Sequence, residues 1–223
     1  MKAFVISLLD NDYSQLVTAR CLLSSRSIGL IDPEIFEAID SYRGASVMQH
    51  HGLKWTWANN NASHAVCPIT KLNQHPYGKL AAKIGCSMSH YLLWLKCLEL
   101  NEPILVLEHD AVFIREFIQF EFTEICQIND PCGATPHGKD WRNTMLSGPS
   151  GVSKKSVIFN DRPDGLAGNS AYVVKPKAAA KLVNAFKVLG VWPNDATMCR
   201  QLFDLEQYFP FITRVEQSHS TTS

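Results

Sequence analysis

The fold is decided by residues 103–113, which read PILVLEHDAVF. Residues 104–107 are apolar without alternation, as in a strand that is buried on both faces of an α/β sheet. The apolar run then ends at Glu108-His109-Asp110. Residues two apart on an extended backbone point to the same side, so we expect the carboxylates of Glu108 and Asp110 to lie close together. Ligands of open α/β sheets bind at the carboxyl ends of strands, which is where this pair stands.

Two interpretations of the acidic pair are open. Two hard oxygen donors at a strand end can hold a Mg²⁺ or Mn²⁺ ion that also binds the phosphates of a substrate. The alternative is a strand end that enters a solvated turn, where acidic residues are common. An isolated E-x-D favours this second interpretation, so the rest of the sequence has to decide between the two.

Length and composition indicate a folded globular chain. Its 223 residues suit one large domain or two small ones, and 46% hydrophobic residues provide material for a core. The chain has 21 Lys and Arg against 21 Asp and Glu, for a formal net charge of +0. This balance excludes the strongly basic composition of a nucleic-acid binder, so we expect no nucleic-acid partner.

Cysteine usage and the N-terminal segment indicate a cytoplasmic protein. The seven cysteines are scattered and form no C-x-x-C pair, which argues against a zinc knuckle and a thioredoxin-like motif. Residues 1–10 contain one basic residue and an apolar run too short for a signal peptide. No stretch is long enough to span a bilayer, so we expect no transmembrane segment.

The first hundred residues predict a parallel nucleotide-binding unit and a long helix. Residues 3–8 and 34–40 are strand-like, and residues 13–27 carry apolar residues at helical spacing. Such a strand–helix–strand unit is parallel and right-handed. A helix over 85–100, capped by Ser87 or Ser89, leads into the central strand.

The remaining segments predict less regular structure. Residues 44–80 are expected to form a functional loop with a short helix near 45–50. Pro210 is expected to place the last strand at a sheet edge. The other predicted elements are helices over 114–128, 175–186 and 196–203, and strands over 155–159, 167–174 and 208–215.

Six motifs follow one another along the chain: VISL at 5–8 with Arg20 behind it, FEAID at 36–40, KIGCSMSH at 83–90, VLEHDAV at 106–112, AYVV at 171–174 with AAAKL at 178–182, and PND at 193–195. In order and spacing they resemble glycosyltransferase family 25, the lipooligosaccharide and collagen galactosyltransferase-like proteins. The third and fourth motifs are the specific ones, and the match is weak over 44–80 and 129–165. The chain departs from the family pattern at Ser7, Lys83 and His109, where the family has Asn, Glu and Asp.

The resemblance implies a GT-A-like fold, with a Rossmann-like, mostly parallel sheet flanked by helices in one domain over 1–223. The nucleotide-binding half would cover about 1–113 and the acceptor half about 114–223. The implied reaction is transfer of a hexose, most often galactose, from a UDP-sugar to a glycan acceptor with inversion, as in lipopolysaccharide biosynthesis. The implied cofactor is Mn²⁺ or Mg²⁺.

Under this resemblance, Asp110 is the predicted direct metal ligand, and Glu108 binds the metal through water or holds the ribose. The metal would act as a Lewis acid on the leaving diphosphate. His219 in the tail is a weaker candidate for a further ligand. Inversion needs a carboxylate base, for which Asp195 is the first candidate. The alternative role of Asp195 is to cap the helix over 196–203.

Further residues are predicted to bind the nucleotide. Glu37 and Asp40 are placed to hydrogen-bond a uracil or ribose edge, and Arg20 would bind the diphosphate, pair with Asp40 or form a surface salt bridge. His90 lies in the nucleotide or sugar pocket, or is a structural histidine. The full predicted set is Ser7, Arg20, Glu37, Ala38, Asp40, Lys83, Ser89, His90, Glu108 and His109.

Several of these predictions have a plain structural alternative. His109 would bind the metal, stack near the ribose or lie in a solvated turn, so it leaves the need for a metal open. Lys83 would reach a phosphate or be solvated. The loop tryptophans would stack on sugars or seal a core; they are Trp55, Trp57 and Trp141.

Two other functions stay open on the sequence. A metal-dependent phosphohydrolase or nuclease also places acidic pairs at strand ends, although it usually needs more converging carboxylates. A catalytically degenerate relative that only binds a nucleotide or glycan is the second, because of the departures from the family pattern.

Overall fold

The structure is a computed structural model that describes residues 1–58, 65–76, 78–132, 138–154, 159–165 and 169–216. Its strands within these ranges are β1 (Lys2–Ser7), β2 (Glu34–Glu37), β3 (Ala65–Val66), β4 (Asn73–Gln74), β5 (Ile104–Glu108), β6 (Ala111–Phe113), β7 (Ile125–Gln127), β8 (Gly151–Ser153), β9 (Ala171–Val174), β10 (Leu205–Phe209) and β11 (Thr213–Val215). Its helices are α1 (Asp12–Ser27), α2 (Gly44–His50), α3 (Leu80–Leu100), α4 (Gly138–Leu146), α5 (Pro176–Leu189) and α6 (Asn194–Thr197).

Seven strands form one mixed sheet in the order β2-β1-β5-β9-β7-β10-β8. β2, β1 and β5 are parallel, as are β7 and β10. β9 is antiparallel to its neighbours β5 and β7, and β8 is antiparallel to β10 at one edge. Five strands therefore share one direction, which confirms the predicted α/β class with a mostly parallel sheet core flanked by helices.

The central strand β5 is buried on both faces, as its continuous apolar run predicts. Ile104 and Val106 belong to a hydrophobic cluster that includes residues of α3 and α5. Leu105 and Leu107 belong to a second cluster, with residues of α1 and β6. All four are 0% exposed. Because helices cover both faces, every position of the strand needs an apolar side chain.

The predicted helix over 114–128 is wrong. No helix forms between Ile114 and Glu124, and residues 125–127 are strand β7. Phe117 and Phe120, which suggested an aromatic helical face, instead make successive ring contacts with each other and with Phe122, and all three pack against the second hydrophobic cluster. Tertiary packing therefore overrides the helical spacing.

The C-terminal elements also differ from the prediction. α6 ends at Thr197, because the amide of Cys199 donates to the carbonyl of Thr197 and that of Arg200 to the carbonyl of Asp164, so that neither continues the helix. The predicted edge strand over 208–215 is two strands, with Pro210 in the break between them. Of these, β10 lies inside the sheet and β11 pairs with β6.

Other boundaries shift by a few residues. The long helix α3 begins at Leu80 rather than at 85, and the short helix predicted near 45–50 is present as α2. The predicted strand over 155–159 lies almost entirely outside the described residues, and β9 is seen only from Ala171. Among the described residues, no helix is both long and apolar enough to cross a bilayer.

Candidate active site

The carboxyl ends of three parallel strands lie at one edge of the sheet. β1 ends at Ser7, in register with Glu37 at the end of β2, and Ile6 is in register with Glu108 at the end of β5. The antiparallel β9 begins at the same edge, where the carbonyl of Ser170 accepts a hydrogen bond from the Glu108 amide at 2.7 Å. This edge gathers most of the predicted site residues.

Glu108 is held by a row of buried side chains. Its Oε1 lies 3.3 Å from Nε2 of His90, and Nδ1 of His90 lies 2.8 Å from the hydroxyl of Tyr172. Nε1 of Trp94 donates to the same hydroxyl oxygen at 3.0 Å. Burial alone raises the pKa of Glu108, but the hydrogen bond and charge of His90, with smaller effects of His109 and Lys83, leave the pKa lowered. Glu108 is therefore an ionised carboxylate.

The positions of these residues in helix and strand explain the contact. His90 and Trp94 are four residues apart on α3 and so share one helix face. Tyr172 pairs with Val106 in the β5–β9 register and points into the same cluster, against α3. The sequence predicted His90 but not Trp94 or Tyr172. The spacing of four was the only local signal for Trp94.

The motif before His90 anchors the loop that follows β2. The hydroxyl of Ser89 accepts from the amide of Ile39 at 2.8 Å and donates to the carbonyl of Gly85 at 2.9 Å. A Cβ on Gly85 would lie 2.5 Å from the carbonyl oxygen of Ile39 and 2.7 Å from that of Asp40. Gly85 is therefore required for the close approach of the loop, and Ser89 fastens it.

Arg43, which was not among the predicted site residues, organises this loop. Its guanidinium donates to Glu37 at 2.6 Å, to Asp40 at 2.8 Å and to the carbonyl of Ala38 at 2.9 Å. The pKa of Asp40 is lowered, first by the hydrogen bond from the Arg43 amide. The Asp40-to-Arg43 spacing of three residues, after a strand, was a signal for the pair. Glu37 and Asp40 thus flank one guanidinium at the sheet edge.

His109 and Asp110 form a turn, so the premise of an extended Glu-His-Asp segment is wrong. β5 ends at Glu108 and β6 begins at Ala111. Oδ1 of Asp110 is buried and has no hydrogen-bond partner among the described residues. The pKa of Asp110 is raised to about 7, first by burial and then by the charges of Glu108 and Glu216. Asp110 and Glu108 still interact, although their backbone is not extended.

His109 is held by the first helix. Its Nδ1 lies 2.8 Å from the hydroxyl of Ser14, and the same hydroxyl oxygen accepts from the amide of Leu8 at 3.0 Å. Burial lowers the pKa of His109, and the charge of Glu108 opposes this effect. His109 is therefore a fixed residue and not a solvated turn side chain. Ser14 was missed, since nothing local to position 14 indicates a partner at position 109.

The start of α3 and the short helix α6 supply the other side of the site. The Cys86 thiol lies 3.4 Å from Oδ1 of Asn194. Oδ1 of Asp195 accepts from the amide of Ala196 at 3.0 Å. Asp195 lies within the first turn of α6 and is exposed, and Pro193 takes the N-cap position, so the predicted capping role is wrong.

Electrostatic interactions connect these residues to Glu108. Although the Asp195 side chain is exposed, nearby protein atoms that displace part of its water raise the pKa of its carboxyl, the charge of Lys83 lowers it, and that of Glu108 raises it. Burial raises the pKa of the Cys86 thiol, and the charges that act on it are those of Glu108, Asp195, Lys83 and Asp110. The charges of the candidate metal ligands Glu108 and Asp110, the candidate base Asp195 and the candidate phosphate-binding Lys83 therefore all act on this one site.

A family model, glycosyltransferase family 25 (LPS biosynthesis protein), matches residues 1–198. The chain belongs to glycosyltransferase family 25. This confirms the resemblance seen in the motifs, and the protein is a glycosyltransferase, whose reaction needs a sugar donor and a glycan acceptor.

Two solved structures are similar to this family 25 chain at low identity. The crystal structure of A197 from STIV is 12% identical, with 99% of this chain and 97% of that chain covered and a TM-score of 0.41. Mouse xyloside xylosyltransferase 1, apo form, is 12% identical, with 88% and 66% covered and a TM-score of 0.31. No curated protein matches the sequence significantly.

Two groups of potential metal ligands involve Glu108 in this family 25 site. In the part of the chain that the structure describes, ligand atoms of Cys86, His90 and Glu108 all lie within 4.8 Å of one another. On the other side, Asp110 and Glu216 each have a buried carboxylate oxygen without a hydrogen-bond partner among the described residues. The carboxylates are the hard donors that suit Mg²⁺ or Mn²⁺, whereas the thiol and imidazole suit softer metals.

Three predicted residues remain: two contact other protein residues, and the third lies outside the described ranges. Ser7 is buried and its hydroxyl accepts from Thr18 at 2.7 Å. Arg20 does not pair with Asp40 but forms the predicted alternative, a surface salt bridge: it donates to Glu216 at 2.9 Å, and the amide of Glu216 donates to the carbonyl of Asp110. His219 lies outside the described residues. Glu216 is therefore a site residue that the sequence did not predict.

The tryptophans mainly seal the core. Trp57 is buried, donates to the carbonyl of His75 at 2.7 Å and packs edge-on against Trp192. Trp141 is buried and donates to the side chain of Gln207 at 2.7 Å. Trp55 is half-buried. The sugar-stacking alternative therefore does not suit Trp57 and Trp141, whose rings are covered by protein.

Proposed function

We propose that this family 25 enzyme transfers a hexose, with galactose as the first candidate, from a UDP-sugar to a glycan acceptor with inversion. The observation that carries the proposal is the convergence of Glu108, Asp110, Asp195 and Lys83 at the carboxyl edge of the sheet. Such an edge is where α/β sheets bind nucleotides. Family membership supports the transfer of a sugar.

The residues at the turn fit a divalent cation. Asp110 would be the direct ligand, and the unpaired oxygen of Glu216 and the carboxylate of Glu108 lie in the same group of interacting charges. When bound, Mn²⁺ or Mg²⁺ supplies Lewis-acid neutralisation of the leaving diphosphate. Arg20 neutralises and orients one oxygen of Glu216, which leaves the other oxygen for a ligand.

The loop after β2 is suited to the nucleoside. Arg43 fixes the carboxylates of Glu37 and Asp40, which are acceptors for uracil or ribose donors. Lys83 supplies positive charge beside Glu108 and Asp195, where a phosphate would be neutralised. In this proposal the nucleotide lies between the loop and the turn at residues 109–110.

Asp195 is the proposed base. Inversion in one displacement requires a carboxylate to accept the proton of the acceptor hydroxyl on the face opposite the leaving group. Asp195 is exposed, so an acceptor can reach it, and its raised pKa strengthens it as a base. The Ala196 amide donates to Oδ1 of Asp195 and so holds its carboxylate, and the neighbouring Asn194 contacts the Cys86 thiol.

The test is calorimetric titration with UDP-galactose and UDP-glucose, with and without Mn²⁺, followed by NMR of the sugar released on slow hydrolysis. We expect metal-dependent binding and first appearance of the β-anomer from the α-linked donor. Absence of binding by any UDP-sugar, with and without metal, would contradict the proposal. Release of the α-anomer first would contradict inversion.

A further inference from the structure

A continuous row of buried polar side chains ends on the carboxylate of Glu108. Trp94 and Tyr172 are 0% exposed and His90 is 1% exposed, whereas the Glu108 side chain is 32% exposed. The contacts run from Nε1 of Trp94 to the Tyr172 hydroxyl, from there to Nδ1 of His90, and from Nε2 of His90 to Glu108. The row therefore connects the core to the surface of the site.

The donor and acceptor chemistry gives these contacts one direction. The indole nitrogen of Trp94 can only donate, so the oxygen of Tyr172 accepts from it. An ionised carboxylate can only accept, so Nε2 of His90 carries the hydrogen that faces Glu108. A neutral imidazole then has an unprotonated Nδ1, and the Tyr172 hydroxyl donates to it. Each of the four groups is satisfied in this arrangement.

The opposite tautomer of His90 would break the row at two places. With the hydrogen on Nδ1, the lone pair of Nε2 would face the lone pairs of the Glu108 carboxylate. The Tyr172 hydroxyl would also lose its acceptor on His90, because Nδ1 would become a second donor to its oxygen. Buried polar groups left without partners are costly, so the burial of this row selects one tautomer.

We propose that Trp94, Tyr172 and His90 are positioning residues that lock His90 in its Nε2–H tautomer and thereby fix the orientation of the Glu108 carboxylate. The inference rests on the proposed function, in which Glu108 faces the metal or the ribose. It also assigns His90 a role other than metal ligation, because both of its ring nitrogens are engaged in hydrogen bonds. The thiol, imidazole and carboxylate group at Cys86, His90 and Glu108 is then not a metal centre.

The experiment uses nitrogen-15 histidine labelling and long-range proton–nitrogen NMR of the whole chain at pH 8. The His90 signals are identified among the eight histidines by their loss in His90→Gln. The variant is Tyr172→Phe, which removes only the hydroxyl. The matched control is Tyr91→Phe, since Tyr91 is equally buried on α3 but packs against Phe186 outside the row.

We expect the wild type and Tyr91→Phe to show His90 in the Nε2–H form, and Tyr172→Phe to show a mixture of tautomers. Substitution of a residue that orients a ligand typically costs 10–100-fold, so the affinity for Mn²⁺ with UDP, or the transfer rate, should fall by about 10-fold or more in Tyr172→Phe only. Trp94→Phe should have a smaller effect in the same direction.

Three results would overturn the inference. They are a wild-type His90 that carries its hydrogen on Nδ1, an unchanged tautomer in Tyr172→Phe, and a changed tautomer with unchanged binding and turnover. Failure of the proposed function would look different. A wild type that binds no UDP-sugar would contradict that function, while the tautomer measurement would still show whether the row holds Glu108.

Discussion

The hydroxyl of Ser89 lies 2.8 Å from the amide nitrogen of Ile39. The next residue, His90, contacts Glu108 at the end of β5. Two consecutive residues of α3 therefore determine the positions of two different parts of the site, the loop after β2 and the end of the central strand. These two contacts explain why Ser89 and His90 stand together in the motif. They also require α3 to pack closely against the loop after β2.

Ser89→Ala should destabilise the protein by about 1 kcal/mol, because the amide of Ile39 loses its acceptor in a partly buried position. Urea denaturation measures the change. The matched control is Ser87→Ala on the same helix. Ser87 is fully buried, and its hydroxyl has no hydrogen-bond partner among the described residues, so its removal should cost nothing. Equal losses for the two variants would show that the Ser89–Ile39 bond is unimportant.

Gly85→Ala should destabilise the protein by about 1–3 kcal/mol, the usual cost of overpacking. The added Cβ would lie 2.5 Å from the carbonyl oxygen of Ile39, which is backbone, so the whole loop would have to move. UDP affinity should fall with stability, because the loop carries Asp40. Gly148→Ala is the control, since its nearest neighbour would be 3.4 Å away. A stable Gly85→Ala variant with normal UDP affinity would contradict this account.

Local patterns in the sequence predicted the central strand β5 and the candidate site residues at its end. The apolar run at 104–107 is continuous because helices cover both faces of β5, and this pattern is visible without knowing the neighbours. Glu108, Asp110 and His90 follow from the same strand and the helix before it. The predicted helix over 114–128 failed because its aromatic spacing suits either a helix or a row of rings against a sheet.

Partners that are distant in sequence could not be predicted. Tyr172 reaches His90 only through the β5–β9 register, Ser14 reaches His109 across 95 positions, and Glu216 reaches Asp110 through the β6–β11 pairing. No local pattern at these positions indicates the partner, because register and pairing are set by the packing of the whole sheet. A single sequence therefore indicates the site and leaves out the residues that hold it.

Asp110→Asn should remove a pH-dependent loss of stability from the metal-free protein. The pKa of Asp110 is raised from 3.8 to about 7, mainly by burial. Because the folded protein holds the Asp110 proton more tightly than the unfolded chain does, this carboxyl contributes its full stabilisation below about pH 4. The contribution is lost as the pH rises through about 7. In EDTA, the melting temperature of Asp110→Asn relative to wild type should therefore be higher at pH 8 than at pH 5.

The exposed carboxylate of Asp140 on α4 provides the control for this measurement. Asp140→Asn should show the same melting temperature relative to wild type at both pH values. Addition of Mn²⁺ at pH 8 should raise the melting temperature of the wild type and leave Asp110→Asn unchanged. A stability difference independent of pH would mean that Asp110 is not the buried, proton-binding carboxyl described here.

Asp195→Asn should abolish most of the transfer activity while the affinity for UDP-galactose stays unchanged. Loss of a general base typically costs 10²–10⁴-fold in rate, and the amide keeps the shape and the hydrogen bond from the Ala196 amide. Steady-state transfer rates and calorimetric affinities together test this. The control is Asp204→Asn, at an exposed carboxylate that pairs with Lys154 at 2.7 Å. If UDP-galactose affinity fell together with the rate, Asp195 would be a donor-binding residue, because a base that acts only on the acceptor hydroxyl contributes nothing to donor binding.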